Sequence, residues 1–267
     1  MAQGKSKKVY GKKGQKKKVI DSLSRKEWFE LKAPAPFQSE SFGYTCANRT
    51  QGLRKVEDSI RGRVVSQMQA DLAPNQDTFH WRKIKLIVDQ VEGRQAVTSF
   101  YGIDITKDEL CSLIKKRKTL IEAVQDVRTA DGYLLRIFAI CFTKETPGQK
   151  RKTNYAKASQ QQMIRRKMND IIAKEVTKSN ATQVLNLFTS EVIEKKITKD
   201  VSPIYPVKNV KVRKIKVIQR PNIDYHKLNE MHDPEKRILT KAMTKVTGKR
   251  GKVTHEQNVD AENLVNK

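Results

Sequence analysis

Two turn signals constrain this chain more than any other feature. Glu92-Gly93 separates "TFHWRKIKLIVDQ" from "RQAVTSFYGIDI", and Asp131-Gly132 separates "LIEAVQDVR" from "YLLRIFAICFTK". Alternating or β-rich runs flanking a Gly-containing turn predict antiparallel hairpins. The strand after Asp131-Gly132 is apolar on both parities, as a central, doubly covered strand must be. Phe79 and Trp81 share one parity and Ile84, Leu86 and Val88 the other, so a β-bulge is expected between them. "EWFELK", closed by Pro34 and Pro36, and "GRVVSQMQADL", followed by a turn at Pro74-Asn75, read as further strands.

Helical signals interrupt this strand-rich pattern. Thr106 and Glu109 have the spacing of a capping box, and Ile105 with Leu110 that of a hydrophobic staple. They predict a helix over 106–118 with Leu110, Leu113 and Ile114 on its buried stripe. It would end in Lys115, Lys116, Arg117 and Lys118. These four either complement the helix dipole or contact phosphate. Ile164, Met168, Ile171, Ile172 and Val176 recur at steps of three and four and predict a helix over about 156–178. Residues 181–199 read as one or two shorter helices. "IYPVKNVKVRKIKVIQRP" returns to strand, with Val210 and Val212 on one parity and Ile215 and Val217 on the other, so a bulge is expected there too.

The fold class expected is α+β: a strand-rich body with appended helices and basic tails. We divide the chain into a basic arm without a core (1–20), a strand-rich body carrying one capped helix (21–146), a helical segment with the returning strand (147–225), and a C-terminal extension (226–267). In that extension Asp233 as N-cap, Pro234 and Gly248 bound a basic amphipathic helix over 234–247. Its partner could be RNA, a membrane surface or another protein.

Charge decides the class of function. Fifty-five Lys and Arg face twenty-nine Asp and Glu, a formal +26 in 267 residues. Such a charge repels itself unless a polyanion neutralises it, and nucleic acid is the usual one. An anionic membrane is the other, but the longest apolar run, "LLRIFAICF", is short and carries Arg136, so no spanning segment is expected. The arm holds eight lysines and no acid. It suits phosphate contact or a nuclear-import signal. Cys46, Cys111 and Cys141 fit neither a disulfide framework nor a zinc site, which implies a reducing compartment.

Motifs for chemistry are missing. No phosphate-binding loop or dinucleotide fingerprint occurs, and the four histidines make no metal-ligand spacing with the cysteines. Asp104 and Asp108, or Asp131 with a neighbour, could be written as an acid–base pair, but Asp108 is better used as helix N-terminal charge and Asp131 as a turn residue. We expect no enzyme, no cofactor and no metal. Binding remains. The candidate RNA contacts are Lys7, Lys8, Lys12, Lys13, Lys16, Lys17 and Lys18 in the arm, and Arg25, Lys26, Arg49, Arg61 and Arg63 in the first strands. To these add Lys115, Lys116, Arg117 and Lys118, then Lys150, Arg151, Lys152 and Tyr155, and Arg165, Arg166 and Lys167 on the long helix. The returning strand adds Lys208, Lys211, Arg213, Lys214 and Lys216, an all-cationic polar face. The aromatics Trp28, Tyr44, Trp81, Tyr155 and Tyr205 are interleaved with these cations. Most serve the core, with one or two left to stack on bases. Contacts so distributed suit backbone and shape recognition of structured RNA. A DNA-binding protein and a transient assembly or RNA-modifying factor are the rivals.

The stretches "GKKGQKKK", "SRKEWFELKAPAPF", "GRVVSQMQADL", "FYGIDITKDELCSLIKKRKTLIEAVQDVRTADGYLLRIFAICFTK", "RKTNYA", "IRRKMNDIIAKEV" and "SPIYPVKNVKVRKIKV" occur in that order. Over about Lys5 to Pro221 the chain resembles the small-subunit ribosomal protein family of S-three-a type (S-one-e), in its eukaryotic form. The resemblance implies a β-barrel-like body with appended helices and no catalytic residues. It implies a structural constituent of the small subunit that binds ribosomal RNA on the platform, beside other platform proteins. Messenger RNA at its exit region and initiation factor three would lie nearby. No membrane and no homo-oligomer are implied, and the protein would be cytoplasmic with nucleolar transit during assembly. After Pro221 the likeness fades.

Overall fold

The computed structural model describes residues 21–222 other than 38, 73–79 and 147, together with Leu228 and His232. The lysine arm, the Pro74-Asn75 turn and the expected helix over 234–247 lie outside these residues. A 3-10 turn at Leu23–Arg25 leads into β1 (Lys26–Lys32) and β2 (Ser41–Asn48), followed by α1 (Val56–Ile60), β3 (Val64–Met68) and α2 (Gln69–Leu72). The first predicted hairpin is β4 (Arg82–Glu92) and β5 (Gln95–Ile105), after which comes α3 (Lys107–Leu113). The second is β6 (Leu120–Arg128) and β7 (Leu134–Thr143). Then come α4 (Ala158–Thr177), α5 (Ala181–Thr189), α6 (Val192–Val201) and the returning strand β8 (Val207–Gln219).

All eight strands join one open mixed sheet, ordered β2-β1-β5-β8-β7-β6, with β4 on the other edge of β5 and β3 beyond it. One edge of β5 is shared. Gln95–Val97 pair in parallel with Glu30–Lys32 of β1, while Gly102–Asp104 pair antiparallel with Lys214–Lys216 of β8. The sheet therefore forks at β5. One branch curls around Phe29, Leu31, Val56, Ile60, Val88 and Ala96. No β2–β3 ladder closes this curl among the described residues, but Arg63 Nη1 reaches across to Thr45 Oγ1 (2.5 Å) and the Cys46 carbonyl (2.9 Å). The other branch carries the helices. Ile164, Met168, Ile172 and Val176 of α4 are fully buried against it, each contributing about 1.5–3 kcal/mol of apolar burial.

Register slips appear in both expected regions, though one is displaced. In β8, Phe138 pairs with Lys214 and Ala139 with Val212, leaving Arg213 as the extra residue, at the predicted change of parity. In the β4–β5 ladder the slips fall at Asp89 and Tyr101, not between Trp81 and Ile84. Trp81 precedes the strand, so no pleat fixes its parity.

The helix expected over 106–118 is shorter. It ends at Leu113 because Ile114 turns extended (φ −75°, ψ 114°), which leaves Ile114 58% exposed instead of on the buried stripe. Thr106 is the N-cap residue but makes no side-chain capping bond. Glu109, its presumed capping-box partner, instead pairs with Lys211 on β8 at 2.5 Å. A full ammonium attracts a carboxylate more strongly than a backbone amide does.

Candidate nucleic-acid interface

Because α3 stops early, the run Lys115–Lys118 is not a helix terminus and compensates no dipole. It forms a turn in which Arg117 takes φ 66°. This turn is sewn to the loop that follows β7. The Asn154 N–H donates to the Arg117 carbonyl at 2.9 Å, and Lys118 and Asn154 form a parallel bridge. Thr143 Oγ1 accepts from the Thr119 N–H (3.0 Å) and donates to the Asn154 carbonyl (2.5 Å). Thr119 Oγ1 accepts from the Ala156 N–H at 3.1 Å. Within the loop, Gln149 Nε2 donates to the Thr153 carbonyl (2.9 Å) and Asn154 Oδ1 (2.6 Å).

These bonds bring together two basic runs separated in sequence. Arg117, Lys150, Arg151 and Lys152 line one open cleft of 660 Å³. Its single carboxylate, Glu145, lies 3.8 Å from Lys118 Nζ. Exposed guanidinium and ammonium groups at this density fit phosphate oxygens. Tyr155, 61% exposed, follows directly. On α4 the exposed Arg165 stands two turns above Lys157 on the i, i+4 row, with Gln161 between them and accepting from its Nη2 at 3.4 Å. Arg166 and Lys167 are also exposed, and Lys167 Nζ approaches the Asp200 carbonyl at 3.5 Å.

The cations of β8 behave differently. Lys211 pairs with Glu109 (2.5 Å) and lies over the Trp81 ring (3.8 Å). Arg213 pairs with Glu122 (3.3 Å), and Lys214 with Asp104 (3.3 Å), which also holds Lys85 (3.2 Å). Lys208 and Lys216 are exposed. The cationic face read from the sequence is thus largely matched by carboxylates from neighbouring strands and α3. Asp104 and Asp131, weighed for acid–base chemistry, have structural partners: Asp131 Oδ2 accepts from the Ala181 N–H that opens α5, at 2.7 Å.

In the curled branch, the register Lys26↔Asn48 puts Arg25 and Arg49 at one end of the β1–β2 ladder, both exposed, as is Arg61. Arg63 is committed to β2, as described. The arm lysines from Lys7 to Lys18 are outside the described residues. Among the described residues no group of three or more His, Cys, Asp or Glu could hold a metal, and no helix is long and apolar enough to cross a membrane. Sequence reasoning missed Thr119, Thr143, Gln149 and Asn154, the polar residues that assemble the cleft. Nothing in a single sequence marks a threonine as a long-range bracket.

The geometry defines a strand-rich protein with an open cleft lined by four cations. Residues 14–221 match the model of the ribosomal S3Ae family. The small ribosomal subunit protein eS1 of Tetrahymena thermophila is 47% identical over 230 residues, which cover 85% of this chain and 87% of that protein. The chain belongs to the ribosomal S3Ae family, whose role is structural and not enzymatic.

Proposed function

We propose that this chain is a structural constituent of the small ribosomal subunit that grips ribosomal RNA phosphates with the cleft formed by Arg117 and Lys150–Lys152. The observation that carries the reading is the convergence of four cations on one cleft with one carboxylate. Arg165 on α4 and Arg25, Lys26, Arg49 and Arg61 on the curled branch extend the contact, and the arm lysines add sequence-independent attraction. In this reading the protein sits on the platform near the messenger RNA exit region and supports initiation beside initiation factor three and other platform proteins. It works in the cytoplasm after nucleolar assembly.

The test is affinity for isolated small-subunit RNA against salt concentration. Each phosphate contact contributes roughly 0.9 to the slope of log affinity on log salt for duplex-like RNA. The triple substitution Lys150→Ala, Arg151→Ala, Lys152→Ala is expected to lower the slope by roughly two to three. An unchanged slope would remove the cleft from the RNA interface.

A further inference from the structure

The β1–β2 ladder turns two faces in opposite directions. Phe29, Leu31 and Ala47 face inward and are buried. The opposite face carries the cross-strand pairs Lys26↔Asn48, Trp28↔Cys46 and Glu30↔Tyr44. Among the described residues no element covers the two rings there: Trp28 is 49% and Tyr44 69% exposed. They are diagonal neighbours, a spacing of roughly 7–8 Å in an antiparallel pair.

An exposed tryptophan and tyrosine on a rigid ladder lose little entropy on binding and offer flat apolar surface. Their surroundings give the occupant its chemistry. Arg25 and Lys26 enter the ladder at its Trp28 end, and Arg49 leaves β2 at that same end. Glu30 is the one carboxylate among the paired residues of this face, and it lies at the Tyr44 end. A phosphate chain would therefore follow the cationic end, with Glu30 turned toward base edges, where a carboxylate accepts from amino groups. A duplex hides its base faces; an unpaired strand presents them.

We propose that the outer face of β1–β2 is a stacking platform for an unpaired RNA segment, with Trp28 and Tyr44 each under one base and Arg25, Lys26 and Arg49 on the adjoining phosphates. It rests on the RNA reading above and adds a recognition mode that the cleft lacks.

The experiment compares the full chain with its Trp28→Ala, Tyr44→Ala and Trp28→Phe variants on two probes, a short oligouridylate and an RNA duplex of equal length. Stacking by one ring predicts that each Ala variant weakens oligouridylate binding about tenfold and leaves duplex affinity and salt slope unchanged. Trp28→Phe should recover most of the loss. Equal weakening on both probes, or none on oligouridylate, overturns the platform. If duplex binding stays steeply salt-dependent while oligouridylate binding is indifferent to Trp28, only the platform falls. If neither RNA binds at low salt, the RNA reading itself falls. If Trp28→Ala keeps both affinities but loses retention on small subunits after a salt wash, the face docks a protein and stacking is overturned.

Discussion

Arg82 Nη2 lies 3.2 Å from Glu194 Oε1, and the two side chains are 1% and 5% exposed. The pair ties the start of β4 to α6. Arg82 Nη1 also donates to the Phe188 carbonyl at the end of α5, and Glu194 Oε1 accepts the Val212 N–H of β8 at 2.9 Å. One ion pair and its hydrogen bonds thus fasten α5 and α6 to β4 and β8 of the forked sheet. Removing Arg82 strands the Glu194 carboxylate in the core, at a cost of about 3–5 kcal/mol. We expect Arg82→Met to lower the urea midpoint strongly. The double variant Arg82→Met, Glu194→Leu should recover much of the loss, as a double-mutant cycle would measure.

The same pair has a pH signature. Burial raises the Glu194 carboxyl above its ordinary 4.5, outweighing attraction to Arg82, and burial also lowers the Arg82 guanidinium. The folded state therefore holds the Glu194 proton more tightly than the unfolded state. This group's share of stability is full below 4.5 and falls as pH rises through the elevated folded value. The stability difference between the natural chain and Glu194→Gln should shrink across that window as pH increases. A difference that grew with pH would mean that attraction, not desolvation, governs the carboxylate.

Arg82 also shows where the sequence could be read further. It shares parity with Ile84, Leu86 and Val88, so its inward direction is written in the strand pattern. Its partner, more than a hundred positions away, is not. The hairpins, the α4 stripe and the Arg213 bulge follow from local periodicity and turn chemistry, which makes them legible. Ile114, Glu109 and the β8 cations escape that reading for one reason: each depends on a tertiary partner or a backbone turn that local spacing does not encode. The cleft is half legible. Its cations stand out as runs, but their meeting depends on Thr119, Thr143 and Asn154.

Gly102 tests the fork. A Cβ built there would sit 2.6 Å from the Ile215 carbonyl oxygen, where β5 pairs with β8. The obstacle is backbone, so it cannot swing aside. Gly102→Ala should cost about 1–3 kcal/mol as overpacking, seen as a lower thermal midpoint. Hydrogen exchange should quicken first at Lys214–Lys216, the residues paired to this stretch. A neutral substitution would show that the two branches are not held together by this contact.

Cysteine reactivity should separate into classes. Cys111 is exposed, Cys46 half-buried and Cys141 buried. Burial pushes the Cys141 thiol up to about 12, so it supplies almost no thiolate at neutral pH. A disulfide reagent should label Cys111 first, Cys46 more slowly, and Cys141 only in denaturant. Cys111→Ser should abolish the fast phase. Labelling of Cys141 in the native protein at the Cys111 rate would contradict its place beneath α4.

Thr143 separates assembly of the cleft from its charge. Its hydroxyl joins the Thr119 amide to the Asn154 carbonyl, and valine matches its shape without that hydroxyl. Thr143→Val leaves the half-buried Thr119 amide and the buried Asn154 carbonyl without their bridge, at about 1–3 kcal/mol, and takes away no cation. The loop carrying Lys150–Lys152 should then leave the Lys115–Lys118 turn. Small-subunit RNA affinity should fall several-fold while its salt slope stays near that of the natural chain. In contrast, the triple alanine variant of Lys150–Lys152 should lower affinity and slope together. Measured side by side, the two variants distinguish phosphates met by an assembled cleft from phosphates met by loose charges. If Thr143→Val unfolds nothing and leaves RNA affinity unchanged, the lysines and arginines act independently and the bracket serves only the fold.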